Sequence, residues 1–361
     1  MSFNCGIVGL PNVGKSTIFN ALSGAGAQMA NYPFCTIEPN KGIVPVPDKK
    51  LELIGEYLQK TSPIPTKIEF IDVAGLVQGA SKGEGLGNAF LGHIRQVDAI
   101  IQVVRCFTDP NVVHVSGEVD PLRDIEIINT ELILADIEVL ERANDKVTKL
   151  TRSGEKEAVK RKELIDRLID HLNNNNLIKT FDCTDDEKNI LDEYGLITDK
   201  PFLYIANIDE DSLPEKELKA IETYAAKENS EFIYISGKIE EEIAELPEEE
   251  KKEYLEATGL SESGLDKLIQ HSYTLLNLIT YYTVATDLQA WTVKKGTKAP
   301  QAAGKIHTDF ERGFIRAEVF TYTDLEKNKT IQSLKEQGLI KSEGKEYVIQ
   351  EGDIITYLFN T

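Results

Sequence analysis

The stretch Gly9-Leu10-Pro11-Asn12-Val13-Gly14-Lys15-Ser16 constrains this chain more than any other, because it is a complete phosphate-binding loop directly after a strand-like run, Cys5 to Val8. Such a loop needs a parallel strand in front of it and a helix behind it, so an α/β sheet is expected from the first twenty residues. Its turn aims successive backbone N–H groups at phosphate oxygens. Lys15 is placed for the β and γ oxygens, the Ser16 hydroxyl for Mg²⁺, and the helix from about residue 15 to 22 adds its positive dipole end. Asn12, Val13, Gly14, Lys15, Ser16 and Thr17 are the expected phosphate contacts.

A second phosphate-side motif follows. Residues 67–71 look like a buried strand that ends in Asp72-Val73-Ala74-Gly75. A carboxylate at that strand end can hold the hydration shell of Mg²⁺, and the Gly75 N–H can meet the γ-phosphate. Between the two motifs, the proline-punctuated loop from Asn31 to Pro39 carries Thr36, expected to complete the metal shell when a triphosphate is bound. Gly75, Gly79, Gly83, Gly85 and Gly87 give the segment after Asp72 the backbone freedom of a switch loop; a passive flexible loop is the alternative reading.

The base-reading element departs from the guanine pattern Asn-Lys-x-Asp. The residues here are Asn207-Ile208-Asp209-Glu210, after the strand-like 202–206. Glu210 is one methylene longer than the aspartate that accepts from guanine, and Ile208 stands where a lysine stem would cover the base. Adenine has no 2-amino donor and does not need that carboxylate, so it can be read by Asn207 and backbone groups. Ser236 and Gly237, after the strand-like 231–235, are expected to close the base pocket through backbone contacts.

Taken together, these features resemble the YchF family of Obg-like ATPases within the translation-factor-related P-loop GTPases. The resemblance runs nearly end to end: the Gly9-to-Thr17 loop, Tyr32-Pro33-Phe34 before Thr36, Gly83-Glu84-Gly85-Leu86-Gly87, Asn207 to Glu210, Ala299-Pro300-Gln301-Ala302-Ala303-Gly304-Lys305-Ile306-His307, and Asp309 to Ile315. It implies a Ras-like P-loop NTPase core with a mostly parallel sheet, an inserted antiparallel α-helical coiled-coil arm and a C-terminal α+β, β-grasp-like TGS domain. It also implies ATP preferred over GTP, and association with ribosomes. Cys35 occupies a place where threonine is common in Obg relatives, which leaves the metal role of Thr36 intact.

Leu76 follows Asp72-x-x-Gly75 where Ras-like hydrolases carry a water-orienting glutamine. Slow hydrolysis is therefore expected, with Lys15, Mg²⁺ and backbone donors stabilising charge and the missing part supplied by a partner, by K⁺, or by His114. Asn12 resembles the corresponding residue of potassium-assisted relatives. An ordinary loop histidine is the competing reading of His114.

From residue 125 to 150 apolar positions recur at three- and four-residue steps, and after a break at Thr151-Arg152-Ser153-Gly154 a second helical pattern runs to Leu172. The expected divisions are 1–124 with 196–277 for the nucleotide domain, 125–195 for the arm and 278–361 for the TGS domain. A local excess of Lys and Arg near the arm tip suits rRNA phosphates, with a solvated helix face as the alternative. Trp291 either stacks on a base or packs in a core, and His307 is read as structural.

The formal net charge of −20 excludes a uniformly basic nucleic-acid binder. Cys5, Cys35, Cys106 and Cys183 show no paired spacing, no apolar run is long enough to span a bilayer, and no targeting signal is found, so a cytoplasmic protein is expected. The partners that the family resemblance implies are ATP and the ribosome, and a monomer is expected.

Overall fold

The computed structural model describes residues 3–24, 28–29, 40–73, 86–109, 119–151, 155–210, 213–258, 260, 262–285 and 287–360. In chain order the elements are β1 (Asn4–Val8), α1 (Lys15–Gly24), β2 (Gln28–Met29), β3 (Asn40–Pro45), α2 (Lys49–Leu58), β4 (Lys67–Asp72), α3 (Leu86–Gln96), β5 (Ala99–Arg105), α4 (Pro121–Thr151), α5 (Lys156–Asn173) and α6 (Asp185–Asp192). They continue with β6 (Phe202–Asn207), α7 (Glu215–Lys227), β7 (Glu231–Ile235), α8 (Gly237–Glu245), α9 (Glu248–Thr258), α10 (Gly264–Leu275), β8 (Leu278–Thr283) and β9 (Gln289–Lys294). The last are α11 (Ala299–Ile306), α12 (Thr308–Arg312), β10 (Phe314–Thr321), α13 (Tyr322–Asn328), α14 (Ile331–Glu336), β11 (Lys341–Glu343) and β12 (Asp353–Phe359). Two compact units result: residues 1–44 with 69–271, and residues 45–68 with 272–361.

The first unit is built on a seven-stranded sheet of order β2-β3-β4-β1-β5-β6-β7. Pairings β4–β1, β1–β5, β5–β6 and β6–β7 are parallel, and only β2–β3 is antiparallel among those registered. All residues of β5 and β6 are buried, which is why they read as mostly apolar runs, with Gln102, Arg105 and Asn207 as the polar members: helices cover both faces of a parallel sheet. Strands are added first on the β4 side of β1 and then on its β5 side. The carboxyl ends of β1, β4, β5 and β6 therefore meet at the crevice where such sheets bind ligands.

The helical hairpin forms as expected, α4 against α5, with Asn144 Nδ2 donating to Asp166 Oδ1 at 2.9 Å. Its root differs from the expected arm of 125–195. Ile125, Ile128, Leu132, Ile133, Ala135, Asp136 and Leu140 of α4 are buried, whereas no α4 residue beyond Leu140 is. The apolar stripe is continuous, but its first half packs toward the nucleotide sheet, and the half beyond Leu140 is only partly covered. Asp136 fixes this root: its carboxylate, fully buried, accepts from Ile197 N (3.0 Å), Thr198 N (2.7 Å) and Thr198 Oγ1 (2.8 Å), with Arg95 Nη1 at 3.7 Å.

The second unit is a five-stranded mixed sheet of order β11-β10-β12-β8-β9, with β12–β8 parallel and the remaining pairs antiparallel. One face packs Tyr281, Val293, Phe314 and Ala317 on Ala299, Ala302 and Ala303 of α11. Trp291 packs against that cluster and donates Nε1 to Thr283 Oγ1 at 3.0 Å, which favours its core reading. His307 caps α12, its Nδ1 accepting from Asp309 N at 3.2 Å.

On the other face the division drawn from sequence is corrected. Residues 45–68, assigned there to the nucleotide domain, belong to this unit. Leu51 and Ile54 of α2 pack with Tyr282, Leu288, Ala290, Phe320 and Ile354. Tyr282 OH donates to Asp48, the residue that also caps α2 by accepting from Leu51 N. Ile64 bonds Leu288 and Ala290 through its backbone, both at 2.9 Å. An amphipathic helix in sequence announces an apolar stripe but not which sheet it covers.

Removing the Asp136 carboxylate leaves two backbone donors and a hydroxyl buried without their acceptor. Asp136→Ala should lower unfolding free energy by about 3 kcal/mol or more, read from denaturant titration. A loss under about 1 kcal/mol would show that water replaces the carboxylate.

Candidate nucleotide site

The phosphate loop leaves β1 under steric constraints that only glycine meets. A Cβ on Gly9 would lie 2.8 Å from Val103 O of the neighbouring strand. Gly14 has φ +87°, and a Cβ there would come within 2.0 Å of Asn207 Nδ2. Asn12 also takes a left-handed φ of 63°, which asparagine tolerates better than most residues. Helix α1 begins at Lys15, so the N–H groups of its first turn have no carbonyl within the helix to bond. Lys15 is buried and its Nζ bonds Asp72 Oδ1 at the end of β4. The lysine and the acidic residue picked from two distant motifs are thus one contact pair. Ser16 sits exposed in the first turn of α1, one residue from Lys15.

On the opposite wall Asn207 ends β6, 5% exposed. Its Nδ2 donates to Val13 O at 3.0 Å, and its Oδ1 accepts from Gly237 N at 2.9 Å. Ile208 N donates to Ile235 O at 2.9 Å, and Cys106 N to Asn207 O at 2.9 Å. One amide side chain therefore ties the phosphate loop to the turn that opens α8. Asp209 Oδ1 folds back to accept from Glu210 N at 3.0 Å, while Glu210 Oε2 takes Lys238 Nζ at 3.3 Å. The Glu210 carboxylate raises the Lys238 ammonium above its ordinary value. Ser236 Oγ is buried without a partner among the described residues.

Comparison with known proteins decides the lineage. The 50S ribosome-binding GTPase family model (MMR_HSR1) matches residues 4–208, and the YchF-GTPase_C model, described as a protein of unknown function, matches 278–360. The chain is 52% identical to the Ribosome-binding ATPase YchF of Bacillus subtilis and 48% identical to that of Escherichia coli O157:H7, over all of each chain. A solved Schizosaccharomyces pombe YchF GTPase is 38% identical and superposes with a TM-score of 0.88, covering 99% of this chain and 98% of that one. The chain belongs to the YchF family.

In this YchF-family chain the described residues bring together Asn12, Val13, Gly14, Lys15 and Asp72 on one wall and Asn207, Ile208, Ser236 and Gly237 on the other. Thr36, Gly75 and His114, together with Cys35, Leu76 and the glycines at 79, 83 and 85, lie outside the described residues. P-loop NTPases imply a divalent metal in general, and the donors fit a hard cation of the Mg²⁺ type: a hydroxyl, Ser16, and a carboxylate, Asp72. Among the described residues no group of three or more His, Cys, Asp or Glu is placed to hold a metal.

Sequence reasoning missed Arg105 and Phe107. Arg105, 2% exposed at the end of β5, donates Nε to Phe107 O at 3.2 Å and Nη2 to Asp109 O at 3.4 Å, and its guanidinium lies 4.4 Å from the Phe107 ring centre. Phe107 in turn approaches Gly14. The available signal was an arginine closing a mostly apolar strand, a position that requires partners. Burial, with the Glu217 and Asp124 carboxylates, pushes the neighbouring Cys106 thiol up to about 12, so it is no nucleophile at neutral pH.

Gly14→Ala must displace either the phosphate loop or Asn207. It should weaken nucleotide binding by about a hundredfold, roughly 2.8 kcal/mol, by calorimetry. Asn207→Ala, which leaves Val13 O and Gly237 N untied, should cost about tenfold. Wild-type affinity in either variant would contradict this description of the walls.

Proposed function

We propose that this chain is a Mg²⁺-dependent ATPase that binds ATP in preference to GTP, hydrolyses it slowly, and controls association with the ribosome through its nucleotide state. The observation that carries the base preference is the Glu210–Lys238 ion pair beside Ile208. The carboxylate nearest the guanine-reading position is already matched to a cation, and no lysine stem covers the base. Adenine needs neither, whereas guanine would leave two donors without the short carboxylate they require.

For hydrolysis, Lys15 would leave Asp72 for the β and γ oxygens while the first-turn N–H groups of α1 meet the same phosphates. Ser16, Thr36 and, through water, Asp72 would hold Mg²⁺, which when bound supplies charge neutralisation to the transferring phosphoryl group. The Gly75 N–H would meet the γ-phosphate. Water attacks the γ-phosphorus, the bond to the β-γ bridging oxygen breaks, and ADP and inorganic phosphate leave. With Leu76 unable to orient that water, His114, K⁺ near Asn12, or a partner supplies the missing part. His114→Ala retaining full turnover would remove the histidine from this scheme.

Ribosome association rests on the bacterial relatives, which are named ribosome-binding ATPases. The helical arm and the C-terminal unit, read as a TGS domain, are the proposed contacts for rRNA and ribosomal proteins. On the arm, Arg161, Lys162 and Arg167 are engaged with Glu193, Asp166 and Glu187. Lys146, Lys149, Lys156 and Lys160 are exposed and enter no ion pair among the described residues, so these four are the ones left for phosphates. A monomer in the cytoplasm suits this reading, and no helix among the described residues is long and apolar enough to cross a membrane. The GTPase reading keeps support in names: the S. pombe relative and the family model matched over residues 4–208 are both called GTPases. A binding module with incidental hydrolysis is the other alternative.

ATP turnover should exceed GTP turnover at equal concentration and vanish in Lys15→Ala. Ribosome cosedimentation should change with nucleotide and fall when Lys146, Lys149, Lys156 and Lys160 are all made Glu, with a weaker salt dependence. Cosedimentation indifferent to nucleotide would reduce the protein to a binding module.

A further inference from the structure

Helix α3 is the first described element after β4, whose last residue, Asp72, bonds Lys15 of the phosphate loop. The carboxyl end of α3 meets the helical arm at both of its roots. Arg95, in the last turn, donates Nη2 to Ala135 O of α4 and Nη1 to Gly195 O of the returning chain, each at 3.3 Å. We propose that Arg95 is a positioning residue that couples the nucleotide state to the set of the arm, a role that rests on the reading of this chain as a nucleotide-controlled factor.

After β5 the chain runs out along α4, and it returns through residues 195–201 to β6, the strand that ends in Asn207. Asp136 bonds these two segments to each other, its buried carboxylate accepting from Ile197 N and Thr198 N. Arg95 brings in a third element. Its Nη1 lies 3.7 Å from Asp136 Oδ1, and Lys200 Nζ of the returning segment donates back to Arg95 O at 3.1 Å and to Val97 O. The end of α3 is therefore held to both roots by directional bonds, while Phe90, Leu91 and Ile94 anchor the helix by apolar burial. Apolar burial is non-directional, whereas hydrogen bonds weaken steeply as their angles change. A displacement of α3 is felt at Arg95 first.

Arginine suits the task. A guanidinium is a rigid plane of several donors that can bond two carbonyls on different segments at once, whereas an ammonium is a point charge on a flexible stem. Charge strengthens the connection. Burial raises the Asp136 carboxyl, and the bonds from Thr198 and Ile197 together with the Arg95 cation oppose that rise. Drawing Arg95 away from α4 leaves a buried carboxylate short of its counter-charge, a cost that falls on the arm root and not on the phosphate loop. A nucleotide that favours one position of α3 then favours one setting of Ala135 relative to Gly195. By linkage, the setting of the arm acts back on nucleotide affinity by the same factor.

The test is hydrogen exchange on the full chain, read by mass spectrometry of peptides covering residues 195–200, with and without a saturating non-hydrolysable ATP analogue and Mg²⁺. In the unmodified chain the nucleotide should change exchange of the Ile197 and Thr198 amides by about tenfold, within the usual span of coupling between two sites. Arg95→Lys keeps a cation beside Asp136 but cannot hold both carbonyls, so it should still bind the analogue while the exchange response shrinks to about twofold or less. Arg95→Gln, which keeps a planar donor and loses the charge, should give the same result and decides the matter if the lysine variant does not fold. An exchange response absent from the unmodified chain, or equally large in the variants, overturns the proposal; the second outcome would make Arg95 a structural staple. No ribosome enters the measurement, so cosedimentation that ignores nucleotide would count against the ribosome reading alone, and exchange would still judge the coupling.

Discussion

The side chain of Asn207 is the contact on which the nucleotide site depends. Its two hydrogen bonds, to Val13 O and from Gly237 N, join loops that are 194 and 30 residues away in sequence. The tie is possible only because β1, β5 and β6 run parallel in adjacent register and end on one edge. It also explains the glycine at position 14, since any side chain there would occupy the space of the amide that holds the loop. The loop after β1 and the turn that opens α8 are therefore tied together through one amide side chain.

Charge is distributed to match that division of labour. The chain carries a formal −20, yet Lys15 is buried against Asp72 and the guanidinium of Arg105 is enclosed by Phe107 and Asp109 O. Arg105 is held by neighbours that fix its position, whereas Lys15 is paired with a carboxylate that it would have to exchange for phosphate. The arm follows the opposite rule. Its exposed lysines beyond Leu140 are solvated, so any affinity they contribute is long-ranged and salt-dependent.

Local motifs are legible in sequence where a backbone requirement leaves few residue choices. The phosphate loop, Asp72 and the strand ending in Asn207 can be placed because glycine, lysine and an apolar run each answer a geometric demand within about ten residues. What depends on distant pairing is not legible. Sequence gives Asn207 to the base, whereas both of its described bonds are spent on the walls. Proximity in the chain assigns helix α2 to the nucleotide domain, although Leu51 and Ile54 complete the sheet of the other unit. The stripe of α4 reads as arm throughout, because periodicity reports that a face is covered without naming the cover. Arg105 escapes notice for the same reason: its partners are loop carbonyls that no motif predicts.

The central claim is that the Asn207-to-Glu210 turn, with its carboxylate matched to Lys238, favours adenine. The most direct measurement is calorimetric affinity for non-hydrolysable ATP and GTP analogues with Mg²⁺, side by side on the unmodified chain. ATP should bind about tenfold or more tightly, a difference of roughly 1.4 kcal/mol. Equal affinities, or a preference for guanine, would contradict it and show that Glu210 leaves Lys238 to read the base.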